Sequence, residues 1–80
     1  MERADIIEKI NKTIDEITGD WRERKLTESL KDNCGLDSLS LVNLIVSLEE
    51  GLNISFDESA LDPEVIKTIE DVVKLTEKYV

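Results

Sequence analysis

Apolar residues recur along the chain mostly at helical intervals. Ile6, Ile7, Ile10, Ile14 and Ile17 fall at such intervals, with Glu8, Lys9, Asn11, Lys12, Asp15 and Glu16 among them, and predict an amphipathic helix over about Ala4–Ile17. Thr18-Gly19-Asp20 ends it, because a glycine accepts the left-handed backbone of a helix C-terminus. A long connection to about Asp37 follows, in which Leu26 and Leu30 are expected to anchor the loop across the helices. Trp21 is a further apolar residue of this segment, and the basic cluster Arg22–Lys25 reads as a solvated face or as a dock for a partner's acidic patch.

The next helix is expected from Ser38 to about Gly51. At about 100° per residue, Leu41, Leu44, Ile45, Leu48 and Leu52 share one arc and form the core face. Ser40, Asn43, Ser47 and Glu50 lie roughly opposite. Leu39, Val42 and Val46 make a second apolar strip on the flank of Ser38, a pattern that fits either deep burial or binding. Gly51-Leu52-Asn53 closes this helix, and Ile54-Ser55-Phe56 alternates like a short extended piece. Asp57–Glu64 reads as a short third helix, limited by Pro63 and facing inward with Ala60, Leu61 and Val65. Thr68-Ile69-Glu70-Asp71 resembles a capping box and opens a last helix, in which Ile69, Val72, Val73 and Thr76 continue toward Tyr79. The pattern predicts an all-α, four-helix bundle with a long first loop and a short third helix, and no strand competes with it.

Eighty residues make one domain, 1–80, with little room for a deep catalytic cleft. There is no histidine, and the single Cys34 can form neither an internal disulfide nor a cysteine metal cluster. Catalytic and metal-ligating residues are therefore expected to be absent, and a reducing, cytoplasmic setting is expected. No apolar run approaches the roughly 20 residues needed to span a bilayer, and Met1–Asp5 lacks the core of a signal peptide.

Charge changes the picture through its placement. The net charge is -9, and from Asp32 to Ile66 there are eight carboxylates and no lysine or arginine. Such a field repels nucleic acid and attracts basic protein surfaces, although acidity kept for solubility would look the same. Ser38 sits within this stretch at the first turn of an apolar helix, after a turn that Gly35 permits. Asp37 or Ser38 can cap that helix, and a helix N-terminus is electrostatically suited to phosphate.

Leu36-Asp37-Ser38-Leu39 after Gly35, the apolar helix ending Leu48-Glu49-Glu50, and the order of elements around them resemble an acyl carrier protein. The resemblance implies that Ser38 accepts 4'-phosphopantetheine from coenzyme A through a phosphopantetheinyl transferase, and that the arm holds acyl groups as thioesters. It also implies a monomer that is no enzyme itself, inserts into no membrane and binds no nucleic acid, meeting acyl-loading and acyl-processing enzymes through their basic patches. Asp37, Glu49 and Glu50 are the implied charge contacts, and Leu39, Val42 and Val46 the apolar ones. An acyl chain folding back between the helices would be shielded by Leu44, Ile45, Leu48, Phe56, Leu61 and Ile69.

Ser40 and Asn43 stand where carriers of primary fatty acid synthesis usually have acids, which points to a specialised fatty-acid or polyketide-like pathway. Cys34 replaces a larger aliphatic residue and reads as a small buried hydrophobe. Leu36 and Leu39 differ from the residues usual in peptidyl and D-alanyl carriers, yet an aminoacyl carrier stays open. So does an unmodified acidic interaction domain of the same fold, in which Ser38 would only cap the helix.

Overall fold

The structure is a computed structural model that describes residues 2–57, 62 and 65–79. Three helices are described: α1, Arg3–Thr18; α2, Ser38–Leu52; and α3, Ile69–Glu77. Among the described residues there is no strand, only an isolated bridge between Ser29 and Thr68. Most of the expected helix over Asp57–Glu64, including Ala60, Leu61 and Pro63, lies outside the described residues.

The inward face of α1 is Ile6, Ile10 and Ile14, all buried, with Ile7 and Ile17 packed at the edge of the core. Gly19 ends the helix at φ 72°, and its amide donates to the Asp15 carbonyl at 2.8 Å. On α2, Leu41, Leu44, Ile45 and Leu48 are buried, while Leu52 at the end is only half-buried. Asn53 takes the left-handed position after it, at φ 55°. The capping box of α3 is formed: Thr68 Oγ1 accepts from the Asp71 amide at 3.2 Å, and Asp71 Oδ2 accepts from the Thr68 amide at 3.0 Å. Val72 and Val73 carry this helix into the same core, and Arg3 on α1 bonds Glu77 on α3 at 2.7 Å.

Residues 20–37 join α1 to α2 and pack against α1 and the start of α3. Leu30 is buried and Leu26 partly so, whereas Trp21 is exposed. The Leu30 amide donates to the Lys67 carbonyl at 2.9 Å, and the amides of Ile69 and Glu70 donate to the carbonyls of Glu28 and Leu26. This pairing ties the connection to the start of α3.

Two expectations are corrected here. Arg22–Lys25 is not simply a solvated face, because the Arg24 side chain is only 1% exposed and pairs with Asp15. Its guanidinium also bonds Asn11 Oδ1 and the Asp20 carbonyl, each at 2.8 Å, although its Nε is buried without a partner. Charge alone suggested solvent, but a carboxylate on the facing helix compensates much of the burial. Val65, expected to face inward, is exposed, and Ile66 is buried instead. The amides of both residues donate to the Asp62 carbonyl, at 2.8 and 3.2 Å.

Candidate functional site at the start of the second helix

The chain enters α2 through Cys34-Gly35-Leu36-Asp37. Gly35 has φ 72°, and a Cβ there would meet no atom within 4 Å, so the backbone angle rather than space calls for glycine. The residues on either side are buried, Cys34 and Leu36. Leu36 donates its amide to the Leu30 carbonyl at 2.9 Å, and Cys34 donates to the Ser29 carbonyl at 3.0 Å. Arg22 bonds the Asn33 carbonyl at 3.0 Å and pairs with Glu28 at the same distance. The loop before the helix is thus held from both sides, and the first turn of α2 starts at a fixed place.

Asp37 is the cap. Its Oδ1 accepts from the Ser40 amide at 2.8 Å, and its backbone is extended. The Ser40 amide and then the Ser40 hydroxyl hold the Asp37 carboxyl below its usual range. Ser38 follows as the first helical residue; it is exposed, and its hydroxyl makes no hydrogen bond among the described residues. An unengaged hydroxyl beside the free amides of a helix N-terminus can take a phosphodiester without giving up a structural bond. The residues present therefore fit a phosphate-linked group.

Leu39, Val42 and Val46 are 71%, 45% and 43% exposed, a strip running away from Ser38. Asp37 and Glu50 are exposed beside it. Glu49 differs: it is half-buried, and its Oε2 accepts from the Phe56 amide at 2.9 Å. It joins the end of α2 to the segment beyond, a role that sequence pattern did not reveal.

Of the residues expected to shield an acyl chain, Leu44, Ile45, Leu48, Phe56 and Ile69 all belong to the buried core, and Leu61 lies outside the described residues. A groove of about 300 Å³ opens elsewhere, with Leu30, Leu41 and Ile66 in its lining beside Lys31, Asp32 and Lys67. Those two lysines were not singled out from the sequence, although the signal was there: they bracket its cation-free stretch. Cys34 is buried, and burial pushes its thiol up, as suits a packing residue. Among the described residues no three histidine, cysteine or acidic side chains gather to hold a metal ion. No described helix is long and apolar enough to cross a membrane.

The described residues thus put an unengaged serine hydroxyl at a helix start, beside an exposed apolar strip and the exposed acids Asp37 and Glu50. Residues 6–76 match the family model described as the phosphopantetheine attachment site. The chain is 35% identical over 77 residues to an acyl carrier protein of Saccharopolyspora erythraea, covering 95% of this chain and 79% of that protein. A solved structure of a candidate acyl carrier protein from Mycobacterium tuberculosis superposes with a TM-score of 0.83 at 33% identity, covering 91% of this chain and 96% of that one. The crystal structure of an acyl carrier protein from Thermotoga maritima, at 22% identity, shares the fold with a TM-score of 0.82 over 98% of this chain and 89% of that one. The chain belongs to the acyl carrier protein family, whose cofactor is phosphopantetheine.

Proposed function

We propose that Ser38 carries the 4'-phosphopantetheine arm and that the chain, as one carrier domain, delivers thioester-bound acyl groups in a specialised fatty-acid or polyketide-like pathway. One observation carries this reading. Asp37 caps α2 through the Ser40 amide, which leaves the neighbouring Ser38 hydroxyl exposed and unengaged.

In the transfer, Ser38 Oγ forms a bond to phosphorus and the pyrophosphate bond of coenzyme A breaks. Adenosine 3',5'-bisphosphate leaves, and the serine proton passes to the transferase. The carrier needs no base of its own, which suits a chain without histidine. Tethering raises the local concentration of cargo at each partner, so the contribution is delivery rather than catalysis.

Partner enzymes would meet the exposed strip Leu39, Val42 and Val46 with apolar contacts, and Asp37 and Glu50 with lysine or arginine. The specialised pathway is favoured by Ser40 and Asn43, uncharged residues on the outward side of α2. A monomer working in the cytoplasm completes the reading.

Incubation with a fluorescent coenzyme A analogue and a phosphopantetheinyl transferase tests the site. Wild type and Ser40→Ala should be labelled and Ser38→Ala should not. Labelling of Ser38→Ala would move the site, and an unlabelled, folded wild type would favour an unmodified interaction domain.

A further inference from the structure

The stretch from Asp32 to Ile66 contains no lysine or arginine, and the fold brings together the two cations that close it, Lys31 and Lys67. The antiparallel bridge between Ser29 and Thr68, with the Leu30 amide bonded to the Lys67 carbonyl at 2.9 Å, places both lysines on one groove. Neither lysine has an ion pair among the described residues. Leu30, Leu41 and Ile66 supply buried apolar lining, and the groove measures about 300 Å³. Leu41 lies three residues beyond Ser38 on α2, on the same side of the helix, where Cβ atoms are about 5–6 Å apart. The groove therefore opens within one helical turn of the candidate attachment point.

We propose that this groove receives the far end of the cargo, and that the cargo it favours is a short acyl chain ending in a carboxylate. The proposal rests on attachment of the arm at Ser38. Small-molecule sites run from about 300 Å³ upward, so this one accommodates a few carbons rather than a long alkyl chain. Its apolar lining suits methylenes, and two ammonium groups suit a terminal carboxylate. Asp32 also lines the groove and offsets part of that charge, leaving the side chains there at a net positive balance. Seven further carboxylates make the surrounding sequence hostile to an anion, so this groove is where an anionic cargo meets attraction instead. The contact need not be strong, because a short flexible tether already gives an effective concentration in roughly the millimolar range.

The test uses the full chain loaded in three ways: with the bare arm, with an arm bearing a butyryl amide, and with an arm bearing a succinyl amide of the same carbon number. Amide NMR spectra of the three forms are compared at low and high salt. The succinyl form alone should shift the amides of Lys31, Leu41, Ile66 and Lys67, and salt should reduce those shifts. A Lys31→Gln, Lys67→Gln variant should load normally by mass and lose them, while Lys67→Arg should keep them. Equal shifts from the bare arm or the butyryl form overturn the proposal, as do loaded forms that leave the groove unperturbed or carboxylate-specific shifts that survive in the double variant. Failure of wild type to gain mass would overturn attachment at Ser38 and this proposal with it. Normal loading with a silent groove overturns the groove alone.

Discussion

Asp37 Oδ1 accepts the Ser40 amide at 2.8 Å, so the residue just before Ser38 does the capping and Ser38 is left to its own chemistry. On the proposed function, structural and modification roles are thereby divided between neighbours. Ser38→Ala should change stability by less than about 0.5 kcal/mol, as expected of an exposed side chain without a bond. Asp37→Ala should lower the thermal midpoint by a few degrees, and Asp37→Asn should restore most of it, because asparagine caps nearly as well. Thermal melts of the three variants check this; a larger loss for Ser38→Ala than for Asp37→Ala would reverse the assignment.

A second division of labour separates Glu49 from Glu50. Glu49 accepts the Phe56 amide at 2.9 Å, whereas Glu50 is exposed. Glu50→Lys should weaken transferase or loading-enzyme kinetics at low salt, with the defect shrinking as salt rises, and leave the melt unchanged. Glu49→Ala should lower the melt first, by the equivalent of about 1 kcal/mol. Loading rates measured across a salt series, beside melts, separate the two; salt-independent loading by Glu50→Lys would move the docking surface elsewhere.

Among the described residues, the Arg24–Asp15 pair is the most buried ionic contact, its side chains 1% and 10% exposed. Arg24→Met removes one partner and should destabilise the protein by about 3 kcal/mol. Urea unfolding measures the loss. Replacing both partners by apolar residues should recover part of it, since no buried charge is then left alone.

Acid should destabilise the fold. Asp15 is held below its usual range chiefly by the Arg24 side chain, Glu28 by the Lys25 amide, and Asp37 by the Ser40 amide. Burial pushes Asp71 up, but the amides of Thr68 and Lys67 prevail and lower it. Groups whose folded values lie below their unfolded ones stabilise fully above the unfolded values, 3.8 for aspartate and 4.5 for glutamate, and lose that contribution as pH falls through the folded values. A net charge of -9 also repels itself at neutral pH, and salt screens that repulsion. The thermal midpoint should therefore fall below about pH 4, and added salt should raise it at pH 7. A midpoint flat down to about pH 2 would contradict the native carboxylate contacts.

Much of this was legible because it is periodic. The isoleucines of α1, the leucines of α2 and the Thr68–Asp71 box each declare a helix through spacing or capping chemistry. Gly35 was legible as a turn, and its φ of 72° is why glycine suits it. Asp37 and Ser38 were ambiguous as caps, because a shift of one residue in the helix start exchanges their roles. Arg24 looked solvated because its compensating partner, Asp15, lies across a turn that only the folded chain closes. Val65 is exposed and Ile66 buried, a choice between neighbours that helical spacing alone did not decide. The cation-free stretch marks Lys31 and Lys67 in the sequence, but only the fold brings these distant residues to one groove.

The most direct test of the account is the intact mass of the full chain after incubation with coenzyme A, Mg²⁺ and a broad-specificity phosphopantetheinyl transferase, for wild type and Ser38→Ala side by side. Wild type should gain a single phosphopantetheine and Ser38→Ala none. A gain by Ser38→Ala, or a folded wild type that several transferases leave unchanged, would contradict it.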